Sequence, residues 1–142
     1  MTLFISPATL SQLQQHGEAA YPEEAAGLIL GLDIGGKKLV TKQIMLDNTR
    51  EAGARHNRYL LKPEDYLLAE TEAAKLGVDV LGVFHSHPDH PDQPSEFDRE
   101  WALPAFAYII TSVNGGKAAG SRSWRLSEDR MDFEEEPIEI LG

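Results

Sequence analysis

Apolar residues in this chain gather in short runs separated by polar, glycine-bearing or proline-bearing breaks, the rhythm of strands alternating with helices. Ser6-Pro7 reads as an N-cap followed by proline at the first helical position. Leu10 and Leu13 lie three apart inside Ala8 to Ala20, which predicts an amphipathic helix ending before Pro22. Ala26 to Leu32 is a short apolar run and reads as a buried strand. Gly35-Gly36 supplies a turn, and Lys38 to Leu46 the returning strand of a hairpin. Asp47 to Asn57 is polar and reads as a loop, with a brief strand at Tyr59-Leu60-Leu61. A second helix is predicted from Pro63 to Leu76, stopped by Gly77. Val78 to Phe84 is apolar and β-branched, a strand that delivers the chain to His85. A proline-rich loop and a short helix from about Ser95 follow. Phe106 to Val113 and Ala118 to Leu126 then form a hairpin about Asn114-Gly115-Gly116, and the partly alternating tail from Met131 to Leu141 reads as an edge strand. No repeat or long linker divides the chain, so the expectation is one α/β domain spanning residues 1–142.

Composition narrows the classes. At 142 residues the chain can bury a proper core, and its hydrophobic content of 42% with 25% charged residues is ordinary for a globular protein. No apolar run approaches the roughly eighteen residues of a membrane span. The N-terminus, Met1-Thr2-Leu3-Phe4-Ile5, lacks the basic region and apolar core of a signal peptide, so the expected address is cytoplasmic, with no membrane partner. Cysteine is absent, which excludes a thiol nucleophile, a thiolate metal site and a disulfide framework. Lys and Arg number 13 against 23 Asp and Glu, a formal charge of −10 that repels phosphate backbones and disfavours nucleic acid. Part of that excess is local, in Glu134-Glu135-Glu136. Nothing in the sequence marks an oligomeric state.

The candidate chemistry lies at His85-Ser86-His87 and in Ser95-Glu96-Phe97-Asp98, joined by the loop Pro88-Asp89-His90-Pro91-Asp92-Gln93-Pro94. Residues i and i+2 of a strand share a face, so His85 and His87 can aim at one ion, while Asp98 arrives from the next element. Two imidazoles and a carboxylate suit a catalytic zinc, which keeps three protein ligands and an open fourth position. Ser95-x-x-Asp98 has a plainer reading as a helix capping box, which leaves the two histidines unexplained. His90, between prolines, is a weaker fourth candidate, and His16 and His56 are isolated. A metal hydrolase also needs a general base, and the pair Glu23-Glu24 before the first buried strand can supply it; spacing does not choose between the two, nor exclude a solvated acidic loop.

Tyr21-Pro22-Glu23-Glu24-Ala25-Ala26-Gly27 together with His85-x-His87, seven residues, Ser95, two residues and Asp98 resembles the JAMM (MPN+) metalloprotease family, over most of the chain from about Phe4 to Trp124. The resemblance implies the JAMM/MPN, cytidine-deaminase-like α/β fold, a mixed central sheet flanked by helices. It implies Zn2+ held by His85, His87 and Asp98, with Glu24 rather than Glu23 as catalytic base and Ser95 steadying the oxyanion. Many relatives carry Cys where this chain has Ala26, a packing position. The short chain, without room for the insertions of eukaryotic relatives, is similar to the compact prokaryotic branch. The family cleaves amide bonds after the C-terminal glycines of ubiquitin-like proteins. The implied partner is therefore the tail of a ubiquitin-like or sulfur-carrier protein, extended along a sheet edge. Rival expectations are a non-proteolytic metal-dependent hydrolase and a non-catalytic MPN-type scaffold. The tail ending Leu141-Gly142 also suggests a mimic of such a terminus lodged in a neighbour's groove, against the plainer edge strand.

Overall fold

The computed structural model describes residues 2–46, 61 and 63–141. In chain order these form β1 (Thr2–Ile5), α1 (Pro7–Ala20), β2 (Ala26–Ile34), β3 (Lys37–Leu46), α2 (Pro63–Leu76), β4 (Asp79–Pro88), α3 (Glu96–Trp101), β5 (Ala107–Asn114), β6 (Lys117–Leu126), β7 (Phe133–Glu136) and β8 (Ile138–Ile140). The sheet has eight strands in the order β7-β6-β5-β4-β2-β3-β1-β8. Its β4–β5, β1–β3 and β1–β8 pairs are parallel and the rest antiparallel, so the expected mixed sheet is present.

Each face of the sheet carries its own core. On one, Leu13 and Leu10 of α1 pack on Ile5, Ile29, Val40, Phe84 and Ile109. Ser6 caps this helix, its Oγ accepting from Thr9 N at 3.1 Å, and Pro7 follows at the first helical position. On the other face Ala69 and Ala73 of α2 pack on Leu28, Leu30, Val83 and Tyr108. A bulge reconciles β4 with this division. The β2–β4 register passes from Ile29↔Gly82 to Leu30↔Val80, which makes Leu81 the extra residue and puts it with Phe84 on the α1 face. Gly82 beside it must lack a side chain, because a Cβ there would fall 1.8 Å from Ala107 O.

Two departures from the sequence expectation belong together. Thr2–Ile5 is a strand, too short to announce itself by alternation. The tail is two strands, β7 and β8, on opposite edges of the sheet with only Pro137 between them. Neighbouring Cα atoms are about 3.8 Å apart, so the two edges must approach each other and the sheet rolls toward closure. Leu3 N donates to Pro137 O at 2.9 Å across that seam. Glu136 clasps it from inside: its Oε2 takes Lys38 Nζ of β3 at 3.0 Å and its Oε1 takes Ser123 Oγ of β6 at 3.1 Å. The side chains of Lys38 and Glu136 are only 2% and 1% exposed, so one member of the acidic run is a core residue, not part of a solvated patch. The C-terminal residues pair with the chain's own β1, and Leu141 N donates to Ile5 O at 2.9 Å. That is the plainer of the two expectations for the tail. The expected loop over Asp47–Asn57, and residues 59–60 of the expected brief strand, lie outside the described residues.

Removing one member of a buried ion pair strands the other charge, at about 3–5 kcal/mol. Lys38→Met is therefore expected to lose stability on that scale in denaturant unfolding. Adding Glu136→Gln, neutral yet still able to accept from Ser123, is expected to restore much of the loss.

Candidate metal centre

β4 is a central strand, hydrogen-bonded to β2 and β5, and its last residues carry the site. Alternation sends His85 and His87 to one face and Ser86 to the other. Ser86 lies against α1 at Gly17, where an added Cβ would come within 3.2 Å of both Ser86 Cβ and Val113 Cγ2. Its backbone N–H donates to Ala25 O at 3.0 Å, and its Oγ accepts from Ala25 N at 2.8 Å. Ala25 is thus gripped through both backbone groups, and Glu24, the residue before it, is held buried beside the histidines.

The polar atoms converge tightly. His85 Nε2 and His87 Nε2 lie 3.1 Å apart. Asp98 Oδ1 is 3.2 Å from the first and Asp98 Oδ2 is 3.3 Å from the second. Ligand atoms of Glu24, His85 and His87 all fall within 4.8 Å of one another. Ligands about 2.0–2.1 Å from a tetrahedral zinc stand about 3.3 Å from each other, so these separations suit one ion. The donor set points the same way. His87 Nδ1 lies 2.9 Å from Pro91 O, which can only accept, so this nitrogen carries a proton and Nε2 faces inward with a lone pair. That lone pair and the Asp98 carboxylate meet over one point, an arrangement that a shared proton or cation satisfies.

The charges follow. Burial works against the Asp98 carboxylate, but His85 and then His87, with the Ser95 N–H, hold it far below the usual carboxylate range. Burial also opposes the His87 imidazolium; the Asp98 hydrogen bond and charge, with Pro91 and Glu24, outweigh it and raise that ring above its ordinary value.

Ser95-x-x-Asp98 forms the expected capping box, and the Asp98 carboxylate within it also lies against both histidines. Ser95 Oγ accepts from Asp98 N at 3.1 Å, and Asp98 Oδ2 accepts from Ser95 N at 2.7 Å. The box that starts α3 also aims the carboxylate at the histidines. Because the Ser95 oxygen is used as an acceptor, its O–H is left to donate, and Ser95 is exposed. Two clefts flank the cluster. One, of about 300 Å³, is lined by His16, Ala20, Glu23, Glu24 and Leu46; the other, of about 430 Å³, by Ser95, Arg99, Trp124, Met131 and Phe133.

Of the pair that spacing could not separate, Glu24 reaches the histidines, whereas Glu23 is half-buried along the cleft. His90 is exposed and outside the cluster. His56 lies outside the described residues. His16 is not isolated: its Nε2 lies 3.2 Å from Ala26 O, its ring stands by Phe84, and it shares the cleft with Glu24. Ala26 lies directly across the strand pair from His85, so the position is a wall of the site as well as a packing residue. Ser86, between the two histidines, is a site-building residue that its sequence position alone could have flagged.

Comparison with known proteins agrees with this geometry. The family described as prokaryotic homologues of the JAB domain matches residues 6–127. The chain is 30% identical over 122 residues to a desampylase of Haloferax volcanii, covering 85% of this chain and 84% of that one. It is 27% identical over 118 residues to a probable TtuB-protein conjugate cleaving protease of Thermus thermophilus, covering 83% and 75%. A tail tip assembly protein K of Escherichia phage N15 is 32% identical over 91 residues, which is 64% of this chain and only 32% of the phage protein. Among solved structures, protein DSY2949 of Desulfitobacterium hafniense superimposes with a TM-score of 0.85 at 27% identity, covering 99% of this chain and 93% of that one. A JAB1/MPN domain protein of Archaeoglobus fulgidus superimposes with a TM-score of 0.62 at 19% identity, covering 99% and 98%, a likeness of fold. With its mixed sheet, its helices and its His-x-His…Ser-x-x-Asp cluster, the chain belongs to the prokaryotic homologues of the JAB domain, within the JAMM (MPN+) metalloprotease family.

Proposed function

We propose that the chain is a zinc-dependent peptidase that hydrolyses the amide bond after the C-terminal Gly-Gly of a ubiquitin-like or sulfur-carrier protein, freeing an amino acid or a C-terminal extension. The observation that carries this reading is the gathering of His85, His87 and Asp98 about one another, with buried Glu24 beside the two histidines and Ser95 hydrogen-bonded to Asp98. His85, His87 and Asp98 would hold the ion, and zinc bound there supplies a Lewis acid and a water of lowered pKa. Glu24 is the base that takes the proton of the attacking water and returns it to the leaving amine. The Ser95 hydroxyl donates to the carbonyl oxygen as negative charge develops on it.

The substrate class draws support from the two relatives, one a desampylase and the other a probable protease of TtuB–protein conjugates. The sheet offers an edge beside the site. Among the described residues, β3 beyond Leu39 pairs only with β2, and Leu46 at its end lines the cleft that holds Glu24. An extended tail can add there as a further strand. A cytoplasmic address suits such a carrier. A non-catalytic scaffold would need neither a buried base nor an ion site, and this cluster provides for both.

Glu24→Gln is expected to retain zinc and to lose about 10²–10⁴-fold in cleavage of a carrier extended past its Gly-Gly, read by mass spectrometry of the products. His87→Ala and Asp98→Ala are expected to lose the metal itself, read as zinc per chain after gel filtration; full activity in Glu24→Gln would remove it as the base. The pH dependence of the metal-free protein has a definite sign. The depressed Asp98 contributes stability above about pH 3.9 that fades as pH falls, and the raised His87 contributes below about pH 6.5 and fades as pH rises through its folded value. Zinc must displace the proton these groups share, so calorimetry in buffers of different ionisation enthalpy is expected to show proton release at pH 6, with affinity rising from pH 6 to pH 8.

A further inference from the structure

The loop after His87 has no regular backbone pairing of its own, yet its carbonyls are held from outside. Ser112 Oγ of β5 donates to His90 O at 2.6 Å. Trp124 Nε1 of β6 donates to Asp92 O at 2.9 Å. The carbonyl between those two, Pro91 O, is the one that His87 Nδ1 meets at 2.9 Å. Ser112 sits directly opposite His87 in the β4–β5 register and is buried. Asp89 N–H donating to Val113 O at 2.8 Å ties the start of the loop to the same β5–β6 ribbon. The group on the outer nitrogen of a ligating histidine fixes its tautomer and ring orientation. Here that group is a loop carbonyl, and its position depends on neighbours pinned on both sides.

We propose that Ser112 and Trp124 are positioning residues for the metal centre. By fixing the carbonyls of His90 and Asp92 they set Pro91 O where it takes the His87 Nδ1 proton, and His87 then turns Nε2 inward toward the ion. Neither residue is a ligand or belongs to the family motif. The inference rests on the metal-centre reading given above. Trp124 also lines the cleft beside Ser95, so the same indole joins that cleft to the ligand loop.

The test is zinc affinity, by competition with a chromophoric chelator at a temperature where every variant is folded. Trp124→Phe and Ser112→Ala are each expected to bind zinc about tenfold more weakly, as loss of an outer-shell support does. Ser112→Thr, which keeps the hydroxyl donor, is expected to stay within about twofold of the parent. Val40→Ala, in the core of the opposite face, is the control: it lowers the melting temperature and is expected to leave zinc affinity unchanged. In the metal-free protein the His87 Nδ1 proton is expected to be visible by NMR and protected from exchange, and to lose that protection in Trp124→Phe and Ser112→Ala. Parent-like affinity in both of those variants, or an equal loss in Val40→Ala, overturns the positioning role and leaves the metal centre standing. A parent protein that takes up no zinc overturns the metal centre, and this inference with it.

Discussion

The two-residue alternation of β4 is the constraint on which the site is built. One short run, His85-Ser86-His87, serves both faces of the sheet at once. The histidines turn toward Asp98 and Glu24, while Ser86 turns toward α1 and grips Ala25. A one-residue slip of this strand would exchange the faces, sending the serine toward Asp98 and the imidazoles into α1. The register is pinned on both sides, by β2 antiparallel with a bulge at Leu81, and by β5 parallel, against which Gly82 must lack a side chain. Glu24 is coupled to the histidines for the same reason. It owes its place to the residue between them, so the carboxylate and the two imidazoles cannot drift apart independently.

The centre brings together residues distant in sequence, and each contact does more than one job. The capping box that begins α3 also aims Asp98 at the histidines. The loop from His87 to Ser95 is stitched to a hairpin, and its Pro91 carbonyl meets the second histidine. Such multiple use lets a chain of 142 residues assemble this cluster without cysteine. It also means that loosening a remote strand is felt at the cluster.

Much of this could be read in the sequence. The apolar runs placed β2 to β6 and both longer helices, because each buries a face and its period survives in the pattern. The spacing His-x-His, Ser-x-x-Asp was legible because strand alternation and a helix cap translate directly into geometry. What stayed hidden was held by long-range pairing. Thr2–Ile5 becomes a strand by docking between β3 and β8, which no local pattern encodes. The tail read as one edge strand because Pro137 alternates with its neighbours as well as any residue would; only the sheet order shows that it separates opposite edges. Glu136 looked like one more surface acid, and its burial depends on Lys38, far away in sequence. His16 looked isolated because the carbonyl it meets belongs to another element.

The Lys38–Glu136 pair carries a consequence for how the chain comes into being. Lys38 and Glu136 are 98 residues apart, so the partner that neutralises Lys38 leaves the ribosome long after β3 does. Until then Lys38 lacks that partner, and the edge where β1 and β8 meet stays open. The rolled sheet therefore closes only once Glu136 to Ile140 have emerged. An interruption of translation shortly before Glu136 would release a chain with its His-x-His and Ser-x-x-Asp residues intact and its fold unclosed.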